Sequence, residues 1–276
     1  MMDIYVDIGN THTVFGIVNV NDNLNSEISL ETKKLIEENL QELRFSTKNI
    51  ETAEDIYTRL FPFLSKNPNF HKFKVKNFII SSVVPQINFV IDKFVEKYTE
   101  SEFVCWIEPR DDIGINWQTE DYKQMGADRV ADILGGICLY NDNFAIIDFG
   151  TAITIDVIVD RKYVGGSISP GFMLLIKSLF QETAKLPMVE LKPIFKILDN
   201  TTIGQIQLGT VDIMCRGINS IIYELKNKYK NLKVILTGGF SNIVKSIVIN
   251  DEIVSKLQFV GMKYYLDIIK NNIKVK

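Results

Sequence analysis

Apolar positions along the chain fall into short clusters whose spacing alternates between two periods, which predicts a mixed α/β protein. Ile4-Tyr5-Val6 and Thr13-Val14-Phe15-Gly16-Ile17-Val18 are β-prone runs, and Asp7-Ile8-Gly9-Asn10 between them supplies turn residues. From Asn21 to about Gln41 the chain is polar and lacks a clean period, predicting a surface excursion with a short helix near Thr32–Asn39. Ile56, Leu60 and Leu64, four apart, predict one face of a helix over Thr52–Leu64. Phe78 to Val84 reads as a buried strand stopped by Pro85, followed by a helix to about Tyr98 and a strand at Phe103–Ile107.

Val130, Ile133, Leu134 and Ile137 have helical spacing behind Gly126-Ala127-Asp128-Arg129. Ala145-Ile146-Ile147 then predicts a strand, Asp148-Phe149-Gly150-Thr151 a turn, and alternating Ile153, Ile155, Val157 and Val159 a second strand. Gly165 to Gly171 reads as a glycine-rich turn opening a helix through Phe180. After a loop marked by Pro187 and Pro193, a helix is predicted from about Thr202 to Lys228, then a strand at Val234-Ile235-Leu236 ending in Thr237-Gly238-Gly239, then mixed helix and strand.

Two segments match each other. Val6-Asp7-Ile8-Gly9-Asn10-Thr11 and Ile147-Asp148-Phe149-Gly150-Thr151 share the pattern apolar–Asp–apolar–Gly–polar, about half the chain apart. An isolated hairpin turn explains either one, since Asp, Gly and Asn are ordinary turn residues. A second copy points instead to two similarly built halves with phosphate-cradling loops, because glycine lets backbone N–H groups approach a phosphate. A carboxylate facing phosphates implies a bridging cation, commonly magnesium, and the Thr11 and Thr151 hydroxyls are placed to bond phosphate oxygens.

Asp128 at a helix start has a bland explanation in the helix dipole, at a small cost from Asp132 one turn on. The chemical alternative is an Asp–Arg pair, Asp128 accepting a hydroxyl proton and Arg129 binding a carboxylate. His71 reads as a surface residue, and His12 matters only through its neighbours. Neither a Gly-x-x-x-x-Gly-Lys-[Ser/Thr] loop nor a Gly-x-Gly-x-x-Gly fingerprint occurs, so the usual P-loop and Rossmann readings fail.

Composition narrows the classes. With 276 residues, 46% hydrophobic and 24% charged, the chain is long enough for about two globular domains and too apolar to be disordered. The net charge of −3 supplies no global basic field for a nucleic acid. Met1 to Asp7 lacks a basic region, Asp3 and Asp7 interrupt any signal core, and the best apolar stretch, Phe144–Val159, carries Asp148 and Asp156. A leader and a membrane span are therefore not expected, and a cytoplasmic location is. Cys105, Cys138 and Cys215 are too few and too scattered for a metal knuckle or disulfide framework and read as buried small hydrophobes.

Taken together, the segments resemble the type III pantothenate kinase family of the actin-like superfamily of sugar and acetate kinases. The match rests on Asp7-Ile8-Gly9-Asn10-Thr11 with Gly16, Gly126-Ala127-Asp128-Arg129, Asp148-Phe149-Gly150-Thr151-Ala152 with Thr154, Gly165–Gly171 and Thr237-Gly238-Gly239, in the family's order. Minor echoes are Arg44-Phe45-Ser46-Thr47, Ser82-Val83-Val84-Pro85 and Leu186–Glu190. The resemblance implies two similar actin-like (ribonuclease H-like) α/β domains, 1–120 and 121–276, with an ATP cleft between them and a C-terminal helix that can pack back on the first. It implies ATP-dependent phosphorylation of pantothenate, the first step of coenzyme A synthesis, by a homodimer that uses neither nucleic acid nor membrane.

By the same resemblance Asp128 is the base, and Gly126, Ala127, Asp128, Arg129 and Thr202 contact the substrate. Asp7, Ile8, Gly9, Asn10, Thr11, His12, Thr13, Val14 and Thr151 contact ATP. Asp7 serves magnesium, directly or through water, and Asp148 a monovalent cation, potassium or ammonium. The chain departs from the family at Thr119, where a tyrosine is usual (Tyr122 lies three residues on), and at Asp199-Asn200-Thr201-Thr202. Two other readings stand beside the kinase: an inactive member serving as a transcription accessory protein, and an actin-like chaperone or filament protein.

Overall fold

The structure, a computed structural model, describes residues 1–19, 28–64, 72–118, 120–141 and 143–274. His71, Thr119 and the first third of the polar stretch that begins at Asn21 (through residue 27) lie outside the described residues. In chain order the N-terminal elements are β1 (Met2–Ile8), β2 (His12–Asn19), α1 (Ile28–Asn39), β3 (Gln41–Ser46), α2 (Ala53–Leu64), β4 (Phe73–Ser82), α3 (Pro85–Tyr98) and β5 (Thr99–Trp106). There follow β6 (Asn116–Trp117), α4 (Ala127–Leu139), β7 (Phe144–Phe149), β8 (Ala152–Val159), β9 (Lys162–Pro170) and α5 (Phe172–Glu182). The last elements are α6 (Thr202–Gln207), α7 (Ile213–Lys228), β10 (Lys233–Thr237), α8 (Ser241–Val244), β11 (Glu252–Ile253) and α9 (Leu257–Lys274). Among the described residues no helix is long and apolar enough to cross a membrane.

Contacts divide the chain into two compact units, one of Met1–Ile115, Thr119–Leu139 and Leu257–Lys276, the other of Asn116–Gln118 and Tyr140–Lys256. The partition keeps α4 and α9 with the first sheet, whereas a boundary at 120/121 assigns both to the C-terminal half.

The first sheet has the order β3-β2-β1-β4-β5. The alternation of strand side chains sends Ile4, Val6, Ile8, Phe15, Phe78 and Ile80 into a core shared with Ile56 and Leu60 of α2 and Ile91 and Phe94 of α3. Asp3, Tyr5 and Asp7 alternate with these positions on β1 and so lie on the opposite face, where Phe259 of α9 and Leu40 approach Gly16. Pro85 begins α3 at a position where the missing N–H costs nothing.

The second sheet has the order β11-β10-β7-β8-β9-β6. Read from β9 to β11, it repeats the first sheet in order and direction: two antiparallel pairings, then two parallel ones. Its core joins Ala145, Ile147, Phe149, Ile153, Ile155, Val234 and Leu236 to Phe172 of α5 and to Cys215, Ile218 and Ile222 of α7.

Several expectations need correction. Asp7 and Ile8 belong to β1 rather than to the turn, because pairing with β2 runs out to Ile8↔Thr13. The glycine-rich segment Gly165–Pro170 is strand, not turn: it pairs with β8 through Ser167↔Ile155 and Ser169↔Ile153, with an irregularity between Val157 and Ile158. The helix expected over Thr202–Lys228 is interrupted by a π-helical segment, Leu208–Asp212. Gln41–Ser46, read as the end of an excursion and a minor motif, is an edge strand. Cys138 and Cys215 are buried, but Cys105 is only partly so.

Candidate active site

In the first unit, β1 and β2 are joined by Gly9-Asn10-Thr11, closed by Gly9 N–H donating to His12 O at 3.0 Å. Thr47, just past β3, holds this loop from behind. Its hydroxyl donates to Gly9 O at 2.7 Å, its N–H donates to Thr11 O at 3.1 Å, and it shares a 3.0 Å hydrogen bond with the Thr13 hydroxyl. Asn10, Thr11 and His12 are exposed in front. The loop is thus fixed before any ligand arrives, which an anion-binding backbone requires.

Asp7, at the end of β1, is paired in register with Ser81 of β4 and Val14 of β2. Its Oδ1 accepts a hydrogen bond of 2.7 Å from Gln258 Nε2, a side chain 251 positions away on α9. Burial and then the charge of Asp128 push its carboxyl up to about 7, against the opposing pull of the Gln258 hydrogen bond and the Arg44 guanidinium. The charge of Asp128 is thus felt at Asp7, although the two carboxylates come from distant motifs.

Asp128 sits in the first turn of α4, where the helix dipole favours a carboxylate, and its Oδ1 accepts from Arg129 N at 2.7 Å. It folds back over Gly126: a Cβ added there would lie 2.5 Å from Asp128 Oδ1 and 3.3 Å from Val83 Cγ1. Gly126→Ala should therefore displace the Asp128 carboxylate, lowering turnover by about 10-fold or more with little change in Tm; steady-state kinetics beside a thermal melt checks it. Ala127 is buried beneath, and Arg129 is partly buried beside Asp128.

The second unit repeats the hairpin with a shorter loop. Asp148 is paired in register with Thr154, and Gly150 N–H donates to Ala152 O at 3.1 Å. Thr151 is exposed at the tip. Gly238, with φ of 85°, packs directly on Asp148 Oδ1, so neither the backbone conformation nor the space admits a side chain there. Thr202, exposed, opens α6, where the Thr201 hydroxyl caps Gly204 N–H at 3.1 Å and in turn donates to Asp199 at 2.7 Å. The departure at Asp199–Thr201 therefore makes a helix cap. Tyr122 is buried, and its hydroxyl is hydrogen-bonded to Asp111.

Among the described residues no group of three or more His, Cys, Asp or Glu is arranged around a metal position. A divalent cation that keeps most of its waters needs only one or two carboxylates, and Asp7, whose negative charge is disfavoured by burial and by Asp128, suits one. A carboxylate wrapped by glycine backbone, as at Asp148, likewise suits a weakly hydrated monovalent ion with oxygen ligands. The residue that sequence reasoning missed is Gln258; it belongs to no motif, and nothing local marks it.

Two copies of one sheet, each with an Asp at the end of its first strand and a tight Gly-containing loop, define a duplicated α/β fold of two compact units. A solved structure of the same fold, from a Campylobacter jejuni protein assigned to the Baf family of transcriptional activators, matches 98% of this chain and 99% of that one, with a TM-score of 0.55 and 20% identity. The family model for type III pantothenate kinase matches residues 4–224. Type III pantothenate kinases of Thermosipho melanesiensis and Fervidobacterium nodosum are 35% and 34% identical, over 88% and 96% of this chain and 89% and 97% of their own lengths. The chain belongs to the type III pantothenate kinase family.

Proposed function

We propose that this chain transfers the terminal phosphoryl group of ATP to the primary hydroxyl of pantothenate, giving 4′-phosphopantothenate, the first step of coenzyme A synthesis. The carrying observation is membership of the family together with the Asp7–Asp128 carboxylate pair beside a preformed loop. Phosphoryl transfer asks for positioning and charge neutralisation more than covalent chemistry. In this reading Asp128 accepts the hydroxyl proton, and Gly126, Ala127, Arg129 and Thr202 hold pantothenate, Arg129 by its carboxylate. Residues 7–14 contact ATP, as does Thr151. Asp7 orients the magnesium that accompanies ATP, which when bound neutralises phosphate charge. Asp148 holds a monovalent cation.

The test is formation of 4′-phosphopantothenate by purified protein with ATP and magnesium, with and without potassium. Potassium or ammonium is expected to raise the rate several-fold, and Asp148→Ala to abolish that response; an unchanged response in the variant would remove Asp148 as the cation site. Absence of product from protein that still binds ATP would favour the transcription accessory reading. We also read the chain as a cytoplasmic homodimer. Its second unit carries a run of exposed apolar side chains, Ile197 (85% exposed) and Leu198 (81%) among them, with Phe195, Ile203 and Ile213. A second copy covering such a face would remove it from water. Light scattering should report a dimer, and Ile197→Glu with Leu198→Glu should shift it towards monomer.

A further inference from the structure

We propose that Gln258 is the positioning residue for Asp7, and that the crossing of α4 and α9 sets its reach. The inference rests on the reading of Asp7 as the carboxylate that faces magnesium and ATP. Among the described residues Gln258 Nε2 is the one hydrogen-bond donor to the Asp7 carboxylate, at 2.7 Å, and it also reaches Ser81 Oγ at 3.4 Å. A carboxyl group turns about its last side-chain torsion in a broad, nearly two-fold well. With Oδ1 held by the amide, the direction of Oδ2 is set before a ligand binds.

The chemistry of the donor matters. A lysine or arginine at this place would cancel the charge of Asp7 and compete with a cation. A primary amide donates without charge, so it orients the carboxylate without neutralising it.

Gln258 lies in the first turn of α9, and α9 meets α4 backbone to backbone. A Cβ at Gly135 of α4 would lie 2.5 Å from Leu257 O, and one at Gly261 of α9 would collide with Ala131 O. Helices in contact at glycine cannot slide by fractions of an ångström without clash. Because α4 also begins with Asp128, a single crossing indexes the proton-accepting carboxylate and, through Gln258, the cation-facing one. The C-terminal helix, far from every motif in the sequence, thereby fixes the spacing on which the site depends.

The experiment compares Gln258→Met, of similar length without a donor, with wild type. Calorimetric ATP binding is followed as free magnesium is titrated, beside kcat, the KM for pantothenate and the Tm of the unliganded protein. We expect the magnesium needed for half-maximal ATP binding to rise about 10-fold and kcat to fall about 10- to 100-fold, as for other groups that orient a ligating side chain, with KM changed less than about three-fold. In an Asp7→Asn background the same substitution should leave the magnesium requirement where Asp7→Asn alone puts it. Gln258→Asn, one methylene short, should move the same quantities in the same direction and serves if the methionine variant does not fold. A lowered Tm with an unmoved magnesium requirement, or an equal shift in the Asp7→Asn background, overturns the inference. If Asp7→Asn itself leaves the magnesium requirement unchanged, it is the assignment of Asp7 that fails.

Discussion

Asp128→Asn should lower turnover by about 10²- to 10⁴-fold, the usual contribution of a positioned general base, while ATP still binds and the fold is kept. Asn has the shape of Asp and can still accept from Arg129 N, so the local turn at the start of α4 is preserved. What it lacks is basicity towards the substrate hydroxyl. The substitution also removes the charge that repels Asp7, which offsets the modest interaction with the helix dipole that is lost. The measurement is kcat with saturating ATP and pantothenate, beside a calorimetric ATP titration and a melt. Turnover within a few-fold of wild type would remove Asp128 as the base. A matching loss of ATP affinity would mean that Asp128 acts on the nucleotide rather than on the hydroxyl.

Much of this site was legible in the sequence because its parts are local and doubled. The two Asp–apolar–Gly segments stand between runs of β-branched residues, and the hairpins that they predict are present in both units. The helix behind Asp128 carries its apolar period from Val130 to Ile137 and forms where that period places it. Other parts depend on tertiary contacts that leave no periodic trace. Gln41–Ser46 carries a largely polar sequence, and it is a strand because β2 offers an open edge. The same segment delivers Thr47 to the back of the Gly9–Thr11 loop, a contact across 38 residues. Gly165 and Gly166 look like a turn by composition, yet they lie just past the short pairing of β9 with β6, where small residues are tolerated, and a bulge absorbs the φ of 134° at Gly165. The π-helical segment inserts a residue without disturbing the apolar pattern on either side of it. Gln258 is the extreme case, an uncharged residue that acquires a role only when a helix crossing carries it to a strand end.

Asp7→Asn should make the protein more stable and less active at once. The Asp7 carboxyl ordinarily titrates at 3.8 and is pushed up to about 7 in the folded chain, first by burial and then by Asp128. Between those two values the folded state holds a proton that the unfolded chain has released. Stability is therefore insensitive to this group below about pH 4 and declines as pH rises towards 7. The full difference corresponds to about 4 kcal/mol as an upper bound, since solvent at this partly buried side chain screens part of the repulsion. An asparagine carries no such penalty and can still accept from Gln258 Nε2. Without nucleotide, the Tm of Asp7→Asn should match wild type near pH 4 and exceed it at pH 8. Magnesium and ATP should reverse the order at pH 8, because a ligand stabilises the form that binds it and the variant lacks the carboxylate. Turnover should fall by about 100-fold or more, the loss expected when a group that orients charge at the transferring phosphoryl is removed. A Tm at pH 8 equal to or below that of wild type would mean that the two carboxylates do not repel in the unliganded chain. Strain of this kind, partly offset by the Gln258 hydrogen bond and relieved by a proton or a cation, makes the empty site less stable so that the filled one can work.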